Sequence, residues 1–201
     1  MPSASLPKSA NGLGIKRRCA ARRRESANDE AIEMTLTERV PLVESRIPLK
    51  FAMRHLAGAV SVVTAGFGDE RTGATVTTAH SLSVEPEVMV VSINLNSSTW
   101  AAINRHRHFC VNVLRANQIA IADRFAGRSG LKGSARYEGA RWSSLASGAL
   151  ALDEALAAVD CTVEDTIIRH SHALILGSVR HVVSGEPGPA LIYHHGAYGS
   201  S

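Results

Sequence analysis

Two hydroxyl clusters dominate the chemistry open to this chain. Gly73-Ala74-Thr75-Val76-Thr77-Thr78-Ala79-His80-Ser81-Leu82-Ser83 places Thr75, Thr77, Thr78, Ser81 and Ser83 within nine positions and runs into Val84-Glu85-Pro86. Asn94-Leu95-Asn96-Ser97-Ser98-Thr99 follows directly on the apolar run 88–93. Hydroxyls and freed backbone N–H groups at strand ends can hold a phosphate or the polar edge of a planar ring. Either cluster alone is also what β-prone threonine or a serine-rich turn produces. Two clusters at the ends of what read as neighbouring strands point to a ligand.

Other chemistries fail on what is missing. The chain contains no GxSxG, no HExxH, no GxxxxGK[ST], and no GxGxxG after a strand, so a Rossmann dinucleotide site is not expected. Nine histidines invite a metal reading, with HxH pairs at His106/His108 and His170/His172 and an adjacent pair at His194-His195. Those pairs have no evident third ligand or orienting carboxylate, and His106 sits between arginines, so no metal is expected. Cys19, Cys110 and Cys161 are widely spaced with no CxxC, which reads as free thiols in a reducing cytoplasm. A reaction carried by cofactors needs no acid/base pair. Hydride transfer between a nicotinamide and a flavin requires rings held at near-attack distance, with donors for the ring edge and the phosphate.

The elements that would position these groups are short. Hydrophobic residues make up 45% and charged residues 20% of the 201, which suits a globular chain, and no apolar run is long enough to span a bilayer. Only 4% of residues are aromatic, so the core is expected to be aliphatic. The formal charge of +4 is concentrated at the start, where residues 1–40 hold eight Lys/Arg against five Asp/Glu. The cluster 16–24 lacks the interleaved aromatics of a base-stacking surface, so nucleic acid is not expected. Residues 1–46 read as a mobile basic tail and 47–201 as one domain.

Within that domain, Leu49, Ala52, Met53 and Leu56 have helical spacing ahead of Gly58. Strands are expected at 59–65, 72–78, 88–93, 108–114, 155–164, 173–183 and 190–194, with a hairpin turn over 66–71. Thr99 is placed as the cap of a short helix over 100–105, and a second helix is expected over 117–126 with Ile121 and Phe125 on one face. Many short strands with few helices predict a closed antiparallel barrel rather than βαβ repetition, and a domain this small gains by dimerising.

Five stretches, in order, resemble the short-chain flavin reductase family, the reductase components of two-component flavin monooxygenases such as those acting on hydroxyphenylacetate. They are Phe51-Ala52-Met53-Arg54-His55-Leu56-Ala57-Gly58-Ala59-Val60-Ser61-Val62-Val63-Thr64; residues 73–86; Ser97-Ser98-Thr99; Phe109-Cys110-Val111-Asn112-Val113-Leu114 with Arg124-Phe125-Ala126-Gly127; and Leu191-Ile192-Tyr193-His194-His195-Gly196-Ala197-Tyr198. The resemblance implies a mainly β, FMN-binding split β-barrel (antiparallel, Greek key) with a few short helices. It further implies a homodimer with the flavin, FMN or FAD, at the subunit interface. By position, Thr75, Val76, Thr77, Thr78 and Ser81 would line the ring and ribityl chain. Ser97, Ser98 and Thr99 would lie near the phosphate, with Arg124 and Lys132 as further candidates for its charge. His172 matches a family histidine facing the nicotinamide of NADH or NADPH, and Tyr198 an aromatic packing over the dinucleotide. The implied activity is NAD(P)H:flavin oxidoreduction in the cytoplasm, passing reduced flavin to a partner monooxygenase. A flavin-binding electron carrier or sensor of the same fold is the alternative. Thr77-Thr78 replace two serines common in the family, and His80 and Glu87 depart from a small residue and a second proline.

Overall fold

The computed structural model describes residues 47–201; the basic tail expected over 1–46 lies outside the described residues. Chain order is α1 (Leu49–Ala52), tightening into a 3-10 turn; β1 (Gly58–Ala59), β2 (Ser61–Ala65), β3 (Thr72–Val76), β4 (His80–Val84) and β5 (Glu87–Asn94); then α2 (Ser98–His106), β6 (His108–Val113) and α3 (Ile119–Phe125). The hairpin β7 (Trp142–Ser144) and β8 (Leu150–Leu152) precedes two long strands, β9 (Ala157–Arg169) and β10 (His172–Ser184). A final hairpin, β11 (Leu191–His194) and β12 (Ala197–Ser200), ends the fold.

Seven strands pair antiparallel in the order β3-β2-β6-β9-β10-β5-β4. The two edge strands, β3 and β4, are consecutive in the chain and joined by only residues 77–79. The four Cα steps from Val76 to His80 span at most about 14 Å, so the sheet must curl until its edges meet at one corner. No ladder joins β3 to β4, and the split in the barrel falls there. The chain from β5 to β6 crosses the β9–β10 hairpin through α2, a Greek-key step.

Burial explains the strand composition. Every residue of β2 is buried, because Val63 and Ala65 face the inner core while Val62 faces an outer one. The inner core adds Val91, Ile93, Phe109, Val111 and Ile175, closed at one end by Ala102 and Ile103 of α2. Gly177 is required there, since a Cβ would come within 2.5 Å of the Phe109 ring. The outer core joins Val60, Val62 and Leu114 to α3, β8 and β11. It is not purely aliphatic: Phe125, Tyr137 and Trp142 form a trio with centroids 4.9–5.5 Å apart. Asn112, fully buried, donates to Val62 O (3.1 Å) and accepts from Leu152 N (2.7 Å), pinning β8 to the sheet.

The sequence reading differs from this in four places. The strand expected over 59–65 breaks at Val60, because Gly58 and Ala59 pair with Tyr193 and Ile192 while Ser61 onward pairs with β3 and β6. The hydroxyl-rich turn after Thr78 is largely a strand, β4, hydrogen-bonded to β5. Ser97, not Thr99, caps α2: its side chain accepts from Trp100 N at 3.0 Å, and Thr99 lies inside with 1% of its surface exposed. Finally, β7, β8 and β12 were unforeseen, and β9 runs on to Arg169.

Candidate functional site

The break at Val60 positions the site. Pairing of β1 with β11 brings the β11–β12 hairpin against the sheet, and β3 is an edge strand whose outer side has no strand partner among the described residues. Such an edge presents a row of N–H and C=O groups to any ligand beside it. At its start the edge is covered: Arg136 donates to Gly73 O (2.6 Å) and Tyr137 to Thr72 O (2.6 Å). From Thr75 onward it borders a cleft of about 220 Å³ with Val60, Val76 and Ala126 as apolar lining. Tyr193 and Tyr198, edge to face at 5.5 Å, form the opposite wall, and Arg128 lies over the Tyr198 ring at 5.2 Å. Burial raises the Tyr198 phenol pKa, Asp123 adds to the rise, and Arg128 opposes it. The Thr75 hydroxyl is committed to Ala122 O (2.6 Å), so Thr75 offers its backbone, while Thr77 offers an exposed side chain. Gly58 lets Thr77 sit close, since a Cβ there would stand 2.9 Å from Thr77 Cβ. A narrow slot with aromatic and apolar walls and one peptide edge suits a planar heteroaromatic ring.

A second recess, about 290 Å³, runs along one face of α2 and is lined by Ser98, Ala101 and Arg105, with Arg71 and Thr72 opposite. Thr72 Oγ1 and Ser98 Oγ are 2.8 Å apart at the helix N-terminus. Free N–H groups and the helix dipole favour an anion at that point. Arg71 supplies the matching charge: its Nε is buried with no hydrogen-bond partner among the described residues. At the far end of the recess, Glu70 ties down both Arg105 and His106, the latter at 2.8 Å. Thr72 precedes Thr75 by three residues on one strand, so the two recesses are roughly 10 Å apart by strand rise.

Among the residues singled out in the sequence, Thr75, Val76, Thr77 and Tyr198 meet in the first recess, and Ser98, with Ser97 as cap, borders the second. Others line neither. The Thr78 hydroxyl donates to Ser92 O (3.1 Å), tying the link after β3 to β5, and Ser81 donates to Ser83 O (3.1 Å) at a bulge within β4. Thr99 is interior. Arg124 packs where a Cβ on Gly139 would stand 2.8 Å from its Nη1, and Lys132 is exposed just before Gly133. His172 opens β10 beside Asn94, its Nδ1 2.9 Å from Ser171 Oγ, on the outward face of the sheet. Arg71, Thr72 and Arg128 were not anticipated. The sequence places Arg71 in the hairpin turn expected over 66–71 and gives Arg128, between Gly127 and Gly130, no role.

The thiols take no part in such chemistry. Burial pushes the Cys161 pKa up to about 12 and that of Cys110 well above the usual thiol range, so neither is a nucleophile at neutral pH. Among the described residues, no group of three His, Cys, Asp or Glu side chains is placed to hold a metal ion.

Comparison with known proteins meets this geometry. The sequence profile of the flavin reductase like domain matches residues 53–201. The chain belongs to the flavin reductase-like family. It is 33% identical over 147 residues to FMN reductase (NADH) RutF 2 of Rhizobium rhizogenes, covering 73% of this chain and 84% of that protein. With FMN reductase (NADH) RutF of Methylorubrum extorquens it shares 32% over 165 residues, 82% of this chain and 81% of the relative. Solved structures agree in fold. A flavin reductase domain protein from an Arthrobacter species superposes with a TM-score of 0.69 at 27% identity, over 76% of this chain and 93% of that one. BorF, the flavin reductase component of a bacterial two-component tryptophan halogenase, gives 0.70 at 25% identity over 76% and 95%. The flavin reductase-like match begins at residue 53 and so takes in all the strands and both recesses.

Proposed function

We propose that the chain is an NADH-dependent FMN reductase that delivers reduced flavin to a partner monooxygenase, with residues 47–201 as its catalytic domain. The observation that carries this is one strand serving two recesses. The β3 edge from Thr75 to Thr77 faces an aromatic slot, and Thr72 on the same strand faces the α2 N-terminus beside an arginine Nε that is buried and unpartnered among the described residues. A ring joined to a phosphate by a five-carbon ribityl chain fits that separation of roughly 10 Å. The bound flavin would supply the acceptor for the hydride of NADH, and the residues named below would hold it.

The residues of the chain orient and exclude. The β3 backbone and Thr77 hold the ring edge, while Arg71, Ser98 and the α2 N-terminus hold the phosphate. Tyr193 and Tyr198 keep water from one side, leaving the rings to meet without an added acid or base. The relatives named FMN reductase (NADH) favour this pair over FAD and NADPH.

We further propose a homodimer. Ile167 (37% exposed) and Leu174 (40% exposed) pair across β9 and β10 on the outward face, next to the row of Arg169, His172 and Asn94. A second copy covering this apolar face would carry His172 into the interface, where it could meet the nicotinamide. Cytoplasmic action, where NADH is at hand, accords with the free buried thiols Cys110 and Cys161.

The test is anaerobic stopped-flow mixing of the protein with FMN, FAD or riboflavin and with NADH or NADPH, following loss of flavin absorbance. Fast bleaching that saturates in FMN and in NADH is expected. Tight FMN binding with no bleaching would leave the flavin carrier or sensor instead. Sedimentation across dilution is expected to show activity lost as the dimer dissociates, and a fully active monomer would remove the second subunit from the reaction.

A further inference from the structure

Among the described residues, one cation, Arg128, lines the ring cleft, and it is held differently from Arg136 and Arg115. Arg136 is fixed on the carbonyls of Leu131 and Gly73, and Arg115 on those of Glu154 and Glu186. These are clamps between chain segments. Among the described residues Arg128 has one acceptor, Asp123 Oδ1 at 2.9 Å, in an ion pair with side chains 53% and 36% exposed, and such pairs add little to stability. Its guanidinium carbon sits 5.2 Å from the centre of the Tyr198 ring, inside the cleft lining.

The segment that carries Arg128 is bent at both ends by glycines with left-handed backbone, Gly127 (φ 78°) and Gly130 (φ 74°). A Cβ on Gly130 would meet nothing within 4 Å, so the turn is not wedged in place by packing. Arg128 can therefore leave Tyr198 without disturbing the core.

Any planar ring that stacks on this face of Tyr198 must displace the guanidinium. The released charge then stands at the cleft mouth, beside whatever the ring is attached to. The proposed site for the flavin phosphate lies elsewhere, at Arg71 and the α2 N-terminus, in a recess whose lining also carries Asp69, Glu70 and Arg105. A second arginine at the ring cleft matches the second anion of the reaction.

We propose that Arg128 determines recognition of the pyridine nucleotide: it yields the face of Tyr198 to the nicotinamide and exchanges Asp123 for the nucleotide's phosphate. This rests on the reading of the Thr75–Thr77 cleft as the site where the rings meet. Arg128 is a gate and an anion clasp, and Asp123 is its resting partner. An arginine suits both duties, since its planar group stacks on an aromatic face and forks onto phosphate, whereas lysine does only the second well.

The experiment compares wild type, R128A and R128K in steady-state NADH oxidation with FMN, alongside FMN titration followed by flavin fluorescence. For R128A, a rise of about tenfold in KM for NADH is expected, from loss of a charge-assisted contact. The rise should outweigh any change in kcat or in FMN Kd, and the thermal midpoint should hold. R128K is expected to recover part of the KM, and raising the salt concentration should weaken NADH binding in wild type more than in R128A. An unchanged KM for NADH would overturn the inference. So would an FMN Kd that rises by the same factor, which would assign Arg128 to the flavin phosphate and leave the proposed reductase intact. Wild-type protein that binds FMN but never oxidises NADH would overturn the inference together with the reductase reading.

Discussion

Replacing Arg71 with methionine should separate recognition of the flavin phosphate from recognition of the ring. The Nε of Arg71 is buried and unpartnered among the described residues, at the recess where Thr72 and Ser98 meet the start of α2. An unmet buried donor costs roughly 1–3 kcal/mol, and a hydrogen bond to a charged acceptor contributes about 1.5–3 kcal/mol. Removing the guanidinium therefore takes about 10- to 100-fold from FMN affinity. Methionine keeps an apolar stem of similar reach, so the packing beneath survives. Relief of the unmet donor leaves the ligand-free protein at least as stable as before. The assay is a pair of fluorescence titrations, FMN and riboflavin, on wild type and R71M, with thermal melts in parallel. Wild type should prefer FMN, and R71M should lose that preference through weaker FMN binding with riboflavin binding little changed. An FMN-to-riboflavin ratio that is the same in both proteins would refute the assignment, because the side chain would then be indifferent to the phosphate.

Thr77→Val should weaken flavin binding about two- to tenfold with an unchanged melt, as one neutral hydrogen bond is lost. Thr78→Val should instead lower stability by about 1 kcal/mol, since its hydroxyl serves Ser92, and leave flavin titrations unaltered. The opposite pattern would move the ring site to the link between β3 and β4, beside Ser92. His108 is buried, and burial holds its pKa below the ordinary value of 6.5, with His106 adding to the fall while Gly66 O and Asp160 oppose it. Protons then favour the unfolded chain: the contribution is complete above about pH 6.5 and is lost as pH falls through the folded pKa. Thermal midpoints at pH 7.5 and 5.5 should differ less in His108→Gln than in wild type, and equal drops would refute this. Gly177→Ala should cost about 1–3 kcal/mol by overpacking against Phe109, read as a lower denaturation midpoint.

Strands with alternating or continuous apolar residues were readable directly, as at 88–93 and 108–114, because each buries at least one face. β4 was not, since His80-Ser81-Leu82-Ser83-Val84 is an exposed edge whose hydroxyls look the same in a turn as in a ladder. The polar stretch Glu164-Asp165-Thr166 likewise hid the continuation of β9, where partners across the sheet, rather than local pattern, keep the chain extended. The capping of α2 was missed by two residues because Ser97, Ser98 and Thr99 are each competent caps in isolation.

What the sequence determined by itself was the chemical inventory and its class: two hydroxyl clusters at strand ends, no recognised metal or nucleophile motif, and a β-rich chain resembling flavin reductases. What only the tertiary structure decided was which of those groups share a site. Thr72 meets Ser98 across 26 residues of chain, and Tyr198 faces Thr75 because β1 pairs with β11. Residue type and period report on neighbours along the chain. A recess is made by long-range strand pairing, which alone put Arg71 and Arg128 into the lining of two recesses.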